Sequence, residues 1–255
     1  MKFRYVLFDP TKNITALVTS PAEKTEYAGI ARTLMEKEPA CEQVGFVRDA
    51  PDGFELCMAG GEFCGNASMS AAALWCRRRG LDSTRVSGTV SGTDRAVSVC
   101  VEKQSDSDYL CRVEMPPVRE IAGETLYFAG KSYAVTRVTL PGIVHLVTEE
   151  KMEKAAAEAA VKLWCGQLKA EALGLMALDG ERLTPLVYVP GADTLFWESA
   201  CASGTAAVGA AACRKSGRTE ILRLTQPGGV LTVEAHPDGK LLLTGTVKIM
   251  GEWSE

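Results

Sequence analysis

Two cysteines, each opening a segment of small residues, constrain this chain more than any other feature. The first stands in Gly61-Glu62-Phe63-Cys64-Gly65-Asn66-Ala67-Ser68, the second in Trp197-Glu198-Ser199-Ala200-Cys201-Ala202-Ser203-Gly204-Thr205. Each follows a short apolar, strand-like run and precedes an alanine-rich run of helical length. Each helical run carries another cysteine twelve positions on, Cys76 and Cys213. The chain therefore reads as one strand–thiol–helix unit used twice, although identity between the halves is low. Small side chains along both runs suit helices packed closely on every side. A thiol at a helix start has its thiolate stabilised by unpaired N–H groups and the helix dipole.

Composition narrows the setting. At 255 residues and 46% hydrophobic, the chain can build one large core or two smaller ones. A formal net charge of −4 gives no footing for nucleic acid. The run Arg77-Arg78-Arg79 reads as cations at a helix C-terminus. No stretch of about 18 apolar residues suggests a membrane span, and the N-terminus does not read as a secretory signal. The nine cysteines have no Cys-x-x-Cys spacing and no nearby histidine pair, which disfavours zinc. A disulfide framework is not expected in a chain this long, so a reducing compartment, the cytoplasm, is expected. Cys57, Cys76, Cys100 and Cys213 lie in apolar stretches and read as buried small hydrophobes.

Short β-branched runs separated by turn signals predict an α+β chain with many strands. The hairpin signal Pro237-Asp238-Gly239 is one example. Helical spacing predicts helices over 26–37, 65–78, 152–170 and 202–215. The segment 151–169 reads as a surface helix with one buried face.

Six ordered blocks resemble the diaminopimelate epimerase superfamily of cofactor-independent amino-acid racemases and epimerases, and within it the histidine racemases. They are Asn13, Cys41-Glu42-Gln43-Val44-Gly45-Phe46, Glu62-Phe63-Cys64-Gly65-Asn66-Ala67, Trp197-Glu198, Cys201 to Thr205, and Gln226-Pro227-Gly228-Gly229. They span essentially the whole chain. The resemblance implies two pseudo-symmetric domains, each a mostly antiparallel β-barrel around a central helix. Residues 1–118 would carry Cys64 and be completed by a C-terminal strand at about 244–255, with 119–243 carrying Cys201. It implies an isomerase that racemises a free amino acid, most readily L-histidine to D-histidine. No cofactor and no metal are expected. The expected partner is a small amino-acid substrate, with neither nucleic acid nor membrane, and a homodimer is left open.

The chemistry fits the residue types. Removing an α-proton without a pyridoxal electron sink needs a base on one face and an acid on the other. Cys64 and Cys201 would exchange these roles between enantiomers, their titrations belonging to the pair. Backbone N–H groups at Gly65-Asn66 and Ser203-Gly204-Thr205 would bind the substrate carboxylate. The alternative for Asn66 and Ser203 is ordinary helix capping. By resemblance Asn13 and Gln43 line the substrate pocket, Glu42 pairs with a substrate imidazole, and His145 and Glu198 lie near the substrate. Each has a plainer reading: turn residues for Asn13 and Gln43, a core imidazole for His145, a solvated strand-end charge for Glu198. Two positions depart from the pattern. Ala202 stands where relatives often carry glycine. Ser199 stands where diaminopimelate epimerases have an arginine, which argues against diaminopimelate as substrate. The rivals are a racemase of another amino acid, a diaminopimelate epimerase, a phenazine-type isomerase, and a thiol-based metal-binding or redox protein.

Overall fold

Short strands, the first ones buried along most of their length and those between residues 83 and 114 buried at alternate positions, organise the first part of the chain around one helix. A computed structural model describes residues 3–254. In chain order the elements are β1 (Arg4–Pro10), β2 (Thr15–Val18), α1 (Tyr27–Lys37), β3 (Gln43–Ala50), β4 (Gly53–Met58), α2 (Gly65–Arg78), β5 (Ser83–Val90), β6 (Val97–Lys103) and β7 (Asp108–Glu114). They continue as β8 (Glu120–Phe128), β9 (Lys131–Leu140), β10 (Ile143–Thr148), α3 (Lys154–Leu168), β11 (Leu173–Asp179), β12 (Arg182–Val189) and β13 (Thr194–Trp197). The last are α4 (Ala202–Ser216), β14 (Glu220–Gln226), β15 (Gly229–Ala235) and β16 (Leu241–Ser254). The chain divides into two compact units, residues 1–114 with 243–255, and residues 115–242.

In the first unit the strands follow the order β1 to β7. β16 neighbours β7 and pairs antiparallel with β1, which closes an eight-stranded barrel. Closure leaves no free sheet edge. Its axis is filled by α2, whose residues from Gly65 to Leu74 are all buried and which touches every strand from β1 to β7. A helix this enclosed needs the alanines and serines the sequence supplies.

In the second unit the order is β8-β9-β10-β11-β12-β14-β15, with β13 paired to β12. From β9 to β15 the pairings alternate antiparallel and parallel in the same sequence as β1 to β6. The topology thus repeats where the residues do not. The central helix is α4, packed on β9, β10, β11, β14 and β15. At Gly209 a Cβ would lie 2.7 Å from the Val233 side chain, so glycine permits the close approach of α4 to β15. α3 buries Ala157, Ala160, Val161, Trp164 and Cys165, one helical face. Trp164 is fully buried, its indole N–H donating to the Tyr127 carbonyl at 3.1 Å. Burial of a side chain of this kind stabilises by roughly 1.5–3 kcal/mol.

Four strands escape the sequence reading. β8 is half-exposed along its length, β5 buries Val86, Gly88 and Val90 alternately but is otherwise made of hydroxyl and charged residues, and β11 opens on a run buried on both faces. β3 begins inside the Cys41–Phe46 motif and runs on to Ala50, and its pairing with β4 is visible only in the fold. All nine cysteines are free, but Cys100 is exposed and Cys57 half-buried, because outward positions of β6 and β4 face away from the core. That corrects the expectation that both are core residues.

Candidate active site

The two thiols are themselves the helix caps. Cys64 and Cys201 hold the N-cap positions of α2 and α4 in extended backbone conformation. The Ala67 N–H donates to Cys64 Sγ at 3.3 Å, and the Gly204 N–H to Cys201 Sγ at 3.4 Å. One residue further on, Ser68 Oγ donates to the Cys64 carbonyl and Thr205 Oγ1 to the Cys201 carbonyl, both at 2.7 Å. Two unrelated stretches of sequence thus build the same frame, a sulfur resting on a helix N-terminus. Capping by Asn66 and Ser203 is overturned: both lie inside the first turn.

In the first unit a polar chain surrounds Cys64. The thiol donates to Gln43 Oε1 at 2.6 Å. Asn13 Nδ2 donates to Glu42 Oε2 at 2.6 Å, and Asn66 Nδ2 donates to Asn13 Oδ1 at 2.9 Å. Asn13 is fully buried at the end of a tight turn in which Thr11 and Lys12 both take positive φ, 58° and 64°. Left-handed backbone at two non-glycine residues is a strained way to present a side chain, and it is found here at the residue that grips Glu42.

In the second unit Glu198 follows β13, its N–H donating to the Pro185 carbonyl at 3.0 Å. Trp197 is tied to α3 by an indole bond to Glu158 at 2.7 Å. Burial drives the Cys201 thiol well above its ordinary pKa, and the Glu198 carboxylate, which accepts its hydrogen bond, raises it further. The Gly204 N–H and the Ser203 hydroxyl act in the opposite direction. The sulfur therefore has an acceptor suited to its thiol form and donors suited to its thiolate.

His145 lies on β10, fully buried, with Nε2 2.9 Å from Ser203 Oγ. Burial alone lowers its pKa from 6.5 to about 3, so the ring is neutral near pH 7. Between pH 6.5 and 3 the unfolded ring binds a proton that the native ring refuses. This contribution to stability is therefore complete above pH 6.5 and is lost as pH falls toward 3. The full loss is about 5 kcal/mol. His145→Gln should lose less stability than the wild type over that window in urea unfolding at stepped pH. Parallel acid curves would show that the ring is not held neutral.

Asn13, Glu42, Gln43, Cys64, Gly65 and Asn66 gather in the first unit; His145, Glu198, Cys201, Ser203, Gly204 and Thr205 gather in the second. Thr205 is fully buried and its hydroxyl is spent on the loop, donating to the Cys201 carbonyl and accepting from Gln226 Nε2 at 2.9 Å. Gln226 also accepts from the Cys201 N–H at 2.8 Å. It is a part of the site that motif reading quoted without assigning a role. Met176, which stands in none of the motifs, also adjoins Cys201: a Cβ at Gly204 would collide with its thioether and lie 3.2 Å from Cys201 Sγ, so glycine at 204 lets these groups close on the helix start. A surface cavity of about 490 Å3 lined by Tyr27, Phe46, Arg48 and Cys57 contains none of these side chains. Among the described residues no His, Cys, Asp or Glu cluster has the grouping of a metal site, and no helix is long and apolar enough to cross a membrane. His236, directly before the Pro237-Asp238-Gly239 turn, is half-buried and lies 2.8 Å from Glu234.

The family model for the histidine racemase CntK N-terminal domain matches residues 2–252. A histidine racemase of Staphylococcus aureus is 31% identical over 238 residues, covering 89% of this chain and 86% of its own. One from Fusobacterium nucleatum is 28% identical over 261 residues, covering 97% and 94%. Among solved structures, a predicted epimerase from Pseudomonas aeruginosa has a TM-score of 0.73 at 17% identity and covers 99% of both chains. A probable proline racemase from Agrobacterium radiobacter has a TM-score of 0.70 at 12% identity, covering 98% of this chain and 92% of its own. At such identities these two speak for the fold, an α+β epimerase and racemase architecture. The sequence relatives and the family match carry the rest: this chain belongs to the histidine racemase family and is an isomerase of the amino-acid racemase class.

Proposed function

We propose that the protein interconverts L- and D-histidine without a cofactor, using Cys64 and Cys201 as a thiol and thiolate pair. The observation that carries this reading is the duplicated cap: each unit holds one cysteine sulfur on a helix N-terminus in the same hydrogen-bond frame. Inversion at an α-carbon needs a proton removed from one face and delivered to the other, hence two equivalent groups. For one enantiomer a given cysteine is the base and the other the acid; for the other enantiomer they exchange. The N–H groups of the first turns of α2 and α4 supply charge stabilisation for the substrate carboxylate as electron density flows into it.

The choice of histidine draws on the relatives' activity and on Glu42. Its carboxylate is held by Asn13, itself held by Asn66 of the helix that Cys64 caps. A carboxylate so fixed is suited to pair with a protonated imidazole. The test is exchange of the α-proton for deuterium in D2O with L-histidine, D-histidine, L-alanine, L-serine and diaminopimelate. Both histidine enantiomers should exchange and converge to a racemate, with the others slow. Fast exchange of diaminopimelate with none of histidine would overturn the substrate and leave the thiol chemistry standing.

A further inference from the structure

The hydrogen bonds around Cys201 have a direction, and a glycine sets it. In the parallel pairing of β10 with β11, His145 stands opposite Gly174. The imidazole fills the space that a side chain at 174 would need: a Cβ there would run into Nδ1 and Cε1 of the ring. Nδ1 therefore faces a glycine backbone and has no hydrogen-bond partner among the described residues. The other nitrogen, Nε2, meets Ser203 Oγ at 2.9 Å, and that oxygen lies 3.7 Å from Cys201 Sγ.

A neutral imidazole carries one proton for two nitrogens. A buried N–H without an acceptor is rarer and costlier than an unused lone pair. The proton accordingly belongs on Nε2, where it can be donated to Ser203 Oγ. The serine's own proton is then left to turn toward the sulfur. The opposite tautomer would reverse the chain, with serine donating to the ring and accepting from the thiol. We propose that His145, held in the Nε2–H tautomer by Gly174, is a positioning residue that makes Ser203 a hydrogen-bond donor to the Cys201 thiolate. This rests on the reading of Cys201 as one of the two bases. Donation from Ser203 offsets the push of burial and of Glu198 toward the thiol, and so keeps the thiolate within reach.

The chain has two histidines, so the ring is assignable by nitrogen NMR against a His145→Gln sample. The expected spectrum has His145 protonated at Nε2 and bare at Nδ1; a proton on Nδ1, or on both nitrogens at neutral pH, overturns the proposal. In turnover, His145→Leu should lower kcat about ten-fold or more in both directions with KM changed little, the scale of one hydrogen bond to a charged group. His145→Gln, whose amide can still donate to Ser203, should recover much of that loss. Ser203→Ala should match His145→Leu, and the double variant should be no worse than either single one. Additive losses would mean that the histidine does not act through the serine. The NMR result needs no activity, so it stands apart from the parent reading, which fails separately if Cys201→Ala still racemises.

Discussion

Cys64→Ala and Cys201→Ala are each expected to abolish interconversion of the histidine enantiomers, a loss of at least about 10²–10⁴-fold, the worth of a positioned acid or base. The two losses have different signatures. A variant that keeps one thiolate can still remove and return a proton on the same face. It should then exchange the α-proton of one enantiomer for deuterium without inverting it, and the other variant should do so for the opposite enantiomer. Chiral chromatography combined with mass spectrometry reads both quantities, and the pair of results identifies which cysteine serves which enantiomer. Serine at either position should leave a trace of activity at most, because a hydroxyl can donate a proton but is a poor base. Racemisation by either alanine variant at the wild-type rate would end the two-base mechanism.

Glu42→Gln carries the second largest expected effect. It removes a charge from a carboxylate that Asn13 grips at 2.6 Å, while Cys64 keeps its own partners Gln43 and Ala67. A protonated imidazole would lose its counter-charge in a partly desolvated site, so kcat/KM for histidine should fall roughly a hundred-fold. Slow substrates with neutral side chains should change little or improve, since glutamine no longer asks for a cation. The comparison is one of ratios, histidine against L-alanine and L-serine, by α-proton exchange. An equal fall for all substrates would assign Glu42 to the scaffold rather than to recognition.

Much of this was legible in the residues because it depends on near neighbours. A cysteine followed by small residues at helical spacing predicts a thiol at a helix start, and α2 and α4 begin at Gly65 and Ala202 directly after Cys64 and Cys201. Alanine and serine at every turn predict a helix enclosed on all sides. Apolar and β-branched runs bounded by turn signals were readable as strands, while β5, poor in apolar residues, and β8 and β11, whose burial is set by what covers each face, were not.

What only the tertiary structure decided is which partner each polar group found. Local pattern made Asn66 and Ser203 natural caps, yet the sulfur atoms cap, and those two side chains reach instead to Asn13 and His145, far away in sequence. Gln226, the last residue of β14, joins the Cys201 N–H to the Thr205 hydroxyl at the start of α4. The pairing of His145 with Gly174 exists only because β10 and β11 lie parallel after the α3 crossover. Backbone periodicity follows from sterics between adjacent residues and can be read along the chain. The state of a buried proton follows from atoms that meet only on folding, and so it could be read only from the fold.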